Sequence, residues 1–310
     1  MIETRWDLRG MRFAGLRWLA DPGEAGPEQP VSVFLHGYLE QAGAWEGVAG
    51  SLSGERIALD QRGHGRSDHN PPGATYLFAD YVADVDALLD AVSPDRPARL
   101  VGHSMGGTIA TLYAGARPSR VASVVCLDGL GLADGVTGSA ILDSDPVCER
   151  MVHFLDGARS RPRNRPMPSV AAAASRLEAT HPRIGAEWAR RLAERGTAPI
   201  SREGGASGST DAVTWSFDPA HRVRSPIPYR QAHHVPLLRR VVCPVLSLHP
   251  QWPVFDPADV ELLEREIRDL RVDTIANTSH MMPLEEPGPI AARILAFWQA
   301  TAAPPAPRSP

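Results

Sequence analysis

The feature that most restricts what this chain can fold into is the regular return of short apolar, β-branched runs with helical spacing between them. Val31-Ser32-Val33-Phe34-Leu35 is the first, Arg56-Ile57-Ala58-Leu59-Asp60 the second, Ala98-Arg99-Leu100-Val101-Gly102 the third and Ser123-Val124-Val125-Cys126-Leu127 the fourth. Runs of this length without strict polar alternation fit strands buried on both faces. Between the second and third runs, Tyr81, Val85, Leu88, Leu89 and Val92 recur at helical intervals within a predicted helix over 75–92. A further helix is predicted over 105–116. Strand, helix and strand in repeated succession build a mostly parallel sheet with helices on both faces, so the fold class is α/β. Two alternating strands meeting at Gly10 precede this series, in Arg5 to Leu19.

The rhythm stops near residue 130. From Gly131 to His234 the chain is rich in Arg, Ala and Pro, with helical patches over 170–179 and 185–195 and a Gly/Ser loop at 204–209. Strand pattern returns at Pro244-Val245-Leu246-Ser247-Leu248-His249, then a helix over 257–269, a strand over 270–275 and an amphipathic helix over 287–300. The expected organisation is therefore a core of 1–130 and 235–302, a helical cap over 131–234 inserted between the sixth and seventh strands, and a frayed Pro/Ala-rich tail over 303–310. Because it leaves the sheet at its carboxyl edge, the insertion is expected to cover that edge.

Composition removes several chemistries. The 310 residues contain 32 basic side chains, and every one is Arg, so no lysine exists to form a Schiff base or to hold a phosphate in a P-loop. A net charge of -4 with interleaved signs offers no basic stripe for nucleic acid. Cys126, Cys148 and Cys243 are too few and too scattered for a disulfide framework or a paired metal site, and are expected to be reduced thiols. Arg or Asp interrupts the first twenty residues every few positions, which predicts neither leader nor membrane span and a cytoplasmic protein.

Gly102-His103-Ser104-Met105-Gly106 sits between the third buried run and the 105–116 helix and matches G-x-S-x-G. A turn this sharp needs small neighbours, which Gly102, Gly106 and Gly107 provide. It places the Ser104 hydroxyl at a helix N-terminus, where free N–H groups favour developing negative charge. A nucleophilic serine needs a base. Among eleven histidines, only His280, in Asn277-Thr278-Ser279-His280-Met281-Met282-Pro283, lies just after the terminal strand and just before a helix. The oxyanion donors are expected to be the backbone N–H groups of Met105 and of Tyr38, the latter in Leu35-His36-Gly37-Tyr38. Trp45, Trp188, Trp215 and Trp252 are candidates for the pocket wall, although aromatic residues at such positions are commonly core.

Taken with Asp60-Gln61-Arg62-Gly63-His64-Gly65-Arg66-Ser67, these segments resemble the α/β-hydrolase fold superfamily over nearly the whole chain. His36-Gly37-Tyr38-Leu39-Glu40 running to Trp45, Asp128-Gly129-Leu130-Gly131 and Trp215-Ser216-Phe217-Asp218-Pro219 are similar to its serine-hydrolase-like subgroup. The resemblance implies a Ser-His-Asp triad. The common position for the acid, after the seventh strand, is occupied here by Pro253, leaving two sites: Asp128, directly after the sixth strand, where the subgroup carries an acid, and Asp256, on a longer loop. Asp128 is favoured because the sheet holds it rigidly. The resemblance therefore implies an esterase-like serine hydrolase acting on a small-molecule acyl substrate without cofactor or metal. Acyl transfer or thioester cleavage in a biosynthetic pathway is the alternative, and ligand binding without turnover a third. Serine at position 104 disfavours epoxide-hydrolase and dehalogenase chemistry, which use a carboxylate nucleophile there.

Overall fold

The computed structural model describes residues 1–20, 29–130, 147–160, 162–200, 211–223, 225–227 and 229–302. The Gly/Ser loop at 204–209 and the tail at 303–310 lie outside them. In chain order the elements are β1 (Ile2–Leu8), β2 (Met11–Trp18), β3 (Ser32–Leu35), α1 (Glu46–Gly50), β4 (Arg56–Leu59), α2 (Phe78–Val92), β5 (Ala98–His103), α3 (Met105–Ala116) and β6 (Val121–Leu127). Then come α4 (Val147–Ser160), α5 (Val170–Thr180), α6 (Gly185–Gly196), β7 (Thr197–Pro199), β8 (Val213–Trp215) and α7 (Gln231–Leu238). β9 (Val245–Pro250), α8 (Pro257–Glu264), β10 (Leu270–Ile275), α9 (Met282–Glu285) and α10 (Pro287–Ala302) complete the series.

Eight strands form one sheet in the order β1-β2-β4-β3-β5-β6-β9-β10. β1 pairs antiparallel with β2, and β2 with β4; every other pairing is parallel. The apolar runs lack polar alternation because both faces are covered. Val33, Leu35, Ile57, Leu59, Leu100, Val124 and Cys126 pack toward α2, α3 and α7. Their neighbours Phe34, Ala58, Val101, Val125 and Leu127 pack toward α1 and α10. Parallel register aligns the strand ends: Leu35 lies opposite Gly102, Gly102 opposite Cys126, and Leu127 opposite Leu248. The loops after β3, β5 and β6 therefore leave the sheet along a single edge.

The insertion between β6 and β9 carries α4, α5, α6 and a feature absent from the expected pattern, an antiparallel pair of three-residue strands, β7 and β8. Strands this short give no periodic signal, and they pair with each other and, through Val213, with Met167, without joining the large sheet. The expected boundary at 234/235 falls inside α7. That helix packs on α3 so closely that a Cβ on Gly115 would lie 2.2 Å from the Leu237 carbonyl oxygen, and His234 Nε2 lies 3.0 Å from the Thr111 hydroxyl.

A buried ion pair joins the insertion to the sheet. Arg195, near the end of α6, donates to both carboxylate oxygens of Asp60, at 2.8 and 2.6 Å, and to Gln41 Oε1 at 2.5 Å. Asp60, at the end of β4, is fully buried and also accepts the N–H groups of Ala42 and Arg66. Gly65 permits this arrangement, since its φ is +56° and a Cβ there would lie 2.3 Å from the Asp60 carboxyl. Removing one partner of a buried pair strands the other charge. We expect Arg195→Met to lower unfolding stability by about 3–5 kcal/mol, read from urea denaturation. Arg190→Met, which breaks an exposed pair with Glu194 on the same helix, should cost less than about 1 kcal/mol.

Candidate active site

Ser104 takes φ 51° and ψ -120°, between the last residue of β5 and the first of α3. This is costly backbone for a side-chain-bearing residue, and it persists because glycines let the surrounding chain close around it. A Cβ on Gly106 would lie 2.0 Å from the Leu35 carbonyl oxygen, one on Gly102 2.3 Å from the Gly106 backbone, and one on Gly129 2.4 Å from the Ser104 carbonyl oxygen. The Ser104 N–H still bonds Leu127 O at 3.0 Å, and the Asp128 N–H bonds Leu248 O at 2.9 Å. Both residues are thus fixed by continuations of the sheet ladder, and Asp128 also has positive φ, 41°.

His280 reaches both. Its Nδ1 lies 2.6 Å from Asp128 Oδ2 and its Nε2 3.1 Å from Ser104 Oγ. The tautomer that satisfies both contacts has the proton on Nδ1, donated to Asp128, and accepts the Ser104 hydroxyl on Nε2. The Asp128 side chain is 3% exposed. The alternative carboxylate is elsewhere: Asp256 is exposed and caps α8, its Oδ1 accepting the Ala258 N–H at 2.9 Å. The loop bearing His280 is pinned by the two residues before it, the Thr278 hydroxyl donating to Ile275 O and Ser279 donating to Glu285 through both N–H and hydroxyl.

Tyr38 and Met105 face the same cavity, of about 1280 Å³, as Ser104 and His280. Met105 is the first residue of α3, so its N–H has no carbonyl within the helix. The Tyr38 N–H has no partner among the described residues either. The Tyr38 hydroxyl donates to the His221 carbonyl at 2.8 Å, tying the loop after β3 to the insertion. Burial raises the phenol's pKa, against the opposing charge of Arg222. Leu177, Ile184, Leu192, Phe217 and Val223 from the insertion form much of the apolar wall. Of the four tryptophans considered, Trp215 lines the cavity. Trp45 is fully buried against Phe34, Trp188 packs on the cluster around Ala44 and Ile184, and Trp252 is exposed beneath the Arg183 guanidinium. Cys126 and Cys243 are buried, whereas Cys148 is exposed.

Behind these residues lies a second layer to which the sequence pattern assigns no role. His103, completely buried inside the elbow, has Nε2 2.6 Å from the His280 carbonyl oxygen and Nδ1 2.9 Å from Glu40 Oε1. Opposite charge draws this pair together. Glu40 Oε2 also accepts the Gly37 N–H at 3.1 Å. Burial alone would raise the Glu40 pKa, but the charge of His103, with help from His36 and the Gly37 N–H, brings it down to about 2. Burial likewise opposes charge on His103, yet Glu40 raises its pKa above the ordinary 6.5. The pair joins the loop after β3 to the loop of His280. The available signal was a carboxylate and an imidazole beside two functional motifs, but 63 residues of sequence separate them.

This pair sets a pH dependence. Glu40, depressed, contributes stability that is complete above its ordinary 4.5 and lost as pH falls toward about 2. His103, raised, contributes stability that is complete below 6.5 and lost as pH rises through its higher value. We therefore expect the destabilisation caused by Glu40→Gln to be greatest between pH 4.5 and 6.5 and to shrink on both sides. Unfolding midpoints of both proteins, followed from well below pH 4.5 to well above pH 6.5, check it; a difference that stays constant over that wider span would remove charge as the cause.

Comparison with known proteins agrees with this architecture. A family model described as alpha/beta hydrolase fold matches residues 30–287. A serine hydrolase-like protein of Danio rerio is 38% identical over 109 residues, 34% of this chain and 33% of that protein. One of Dictyostelium discoideum is 28% identical over 247 residues, 77% of this chain and 63% of that protein. The chain thus spans less than two thirds of either relative. Among solved structures, the thioesterase domain from the curacin biosynthetic pathway superposes with a TM-score of 0.80 at 25% identity, covering 96% of this chain and 99% of that domain. With its mostly parallel eight-stranded sheet and a family match running from β3 to the start of α10, the chain belongs to the alpha/beta hydrolase fold family.

Proposed function

We propose that this alpha/beta hydrolase is a serine hydrolase that cleaves a carboxylic ester or related acyl compound through an acyl-enzyme on Ser104. The observation that carries the reading is the unbroken line from Ser104 Oγ through both nitrogens of His280 to Asp128, at 3.1 and 2.6 Å. In this reading Ser104 Oγ attacks the substrate carbonyl as His280 Nε2 takes its proton. Asp128 accepts the Nδ1 proton, fixes the tautomer and stabilises the imidazolium. The N–H groups of Tyr38 and Met105 receive the oxyanion at the positive end of α3. His280 then returns its proton to the leaving group. A water, deprotonated by the same imidazole, attacks the acyl carbonyl and releases the acid, regenerating Ser104. The insertion acts as a cap, supplying apolar wall over the edge where Ser104 stands. Likeness to a thioesterase domain favours thioesters among the acyl compounds to be screened.

Three variants test the reading. Ser104→Ala should lose ester turnover and labelling by a fluorophosphonate while keeping its unfolding midpoint, because the strained turn depends on glycines and not on the hydroxyl. Asp128→Asn should lower turnover by ~10⁴-fold, and Asp256→Asn, altering an exposed helix cap, by less than about tenfold. Retained turnover in Ser104→Ala, or a larger loss in Asp256→Asn than in Asp128→Asn, would overturn these assignments.

A further inference from the structure

The insertion contributes cationic as well as apolar residues to the wall of the cavity that holds Ser104. Arg163 and Arg165, from the segment before α5, Arg176 of α5 and Arg222 of the turn Pro219–Arg222 all line it. All four are exposed. Many other arginines carry an ion pair, among them Arg190 with Glu194, Arg191 with Glu46, Arg239 with Glu266, Arg265 with Glu261 and Arg293 with Asp273, whereas Arg5, Arg240 and Arg268 carry none among the described residues. Among the described residues none of the four cavity arginines has such a partner, and Arg222 only lies over the Phe217 ring, at 5.1 Å. Nor does the wall compensate them. Its single acidic residue among the described ones is Glu40, already committed to His103 at 2.9 Å. Three separate segments therefore direct uncompensated guanidinium charge into one cavity that also holds the serine.

We infer that the acyl substrate carries an anionic group, a phosphate or a carboxylate, which these arginines receive while its apolar part occupies the cavity beside Ser104. The inference rests on the hydrolase reading for the chemistry at Ser104, but the anion subsite stands on the wall charge alone. Guanidinium groups match the planar or tetrahedral oxygen arrays of these anions and bind them in a charge-assisted, often bidentate way. Cations exposed at a cavity mouth also raise the local concentration of an anionic substrate, an effect that salt screens. The expected consequence is selection at the binding step rather than at the reacting carbonyl.

Binding to the full chain, measured by calorimetry at low ionic strength, tests this without requiring turnover. Two charged probes are compared with neutral counterparts, coenzyme A with pantetheine and hexanedioate with hexanediol. At least one charged probe should bind about tenfold or more tightly than its counterpart. The gap should narrow in ~0.5 M salt and largely close in Arg163→Gln/Arg165→Gln, with partial closure in Arg176→Gln and Arg222→Gln. Advantage for coenzyme A assigns a phosphate source, and advantage for hexanedioate a carboxylate. Absence of binding by both anions, equal affinity for charged and neutral probes, or a gap unchanged in all the folded variants overturns the inference. Fluorophosphonate labelling separates the two readings: labelling without anion preference removes this inference alone, and anion preference without labelling removes the serine chemistry alone.

Discussion

Everything at the carboxyl edge of the parallel strands depends on how closely three backbones approach one another around Ser104. The strained φ of 51° at that residue survives because Gly106 touches the end of β3, Gly107 the Gly129 carbonyl, and Gly129 the Ser104 backbone itself. Contact distances that exclude even a Cβ lock the ends of β3, β5 and β6 into one rigid unit. The positions of Gly37, Ser104 and Asp128 are consequences of that unit and of the strand register beneath it. A serine hydroxyl, a carboxylate and two backbone N–H groups are thereby held at fixed mutual positions, the preorganisation on which the proposed chemistry relies.

His280 is the component that the sheet does not itself supply, and the molecule devotes several interactions to it. Asp128 holds one ring nitrogen, His103 its carbonyl, and Glu285 the preceding residue. The Glu40–His103 contact extends this support to the loop carrying the proposed oxyanion donor. Arg195 with Asp60 does the same for the insertion, and the Tyr38 hydroxyl adds a second tie between loop and insertion. His280, the loop after β3 and the cavity wall are consequently coupled through polar contacts, most of them buried or partly buried, and not through apolar packing alone. The cost of losing one partner in such contacts is large, which favours a single arrangement.

The contrast between Asp128 and Asp256 shows how rigid support distinguishes chemically equivalent side chains. Asp128 and Asp256 are both aspartates following strands of the same edge. Asp128 departs directly from the ladder through its own N–H bond to Leu248, so its carboxylate has little freedom. Asp256 follows a path through Pro250 and Pro253, and its carboxylate is used in capping α8, which begins at Pro257. The cap is a local interaction satisfied two residues away, and it leaves the side chain pointing into solvent.

The sequence by itself determined the α/β alternation, the glycine-bounded turn at Ser104 and the identity of the histidine after the last strand. Each of these is written in neighbouring residues: strand runs buried on both faces, small residues where chains must touch, a histidine between a strand and a helix. It left Asp128 and Asp256 to be separated by rigidity, and it held no sign of β7 and β8, whose three-residue strands are shorter than any periodicity can register. It also placed a domain boundary inside α7, because the packing of that helix on α3 is a contact between residues more than a hundred positions apart. Only the tertiary structure brought Glu40 to His103 and Arg195 to Asp60. The same holds for the four arginines of the cavity, since a charge's partner, or its lack of one among the described residues, is fixed by distance in space and not by position along the chain.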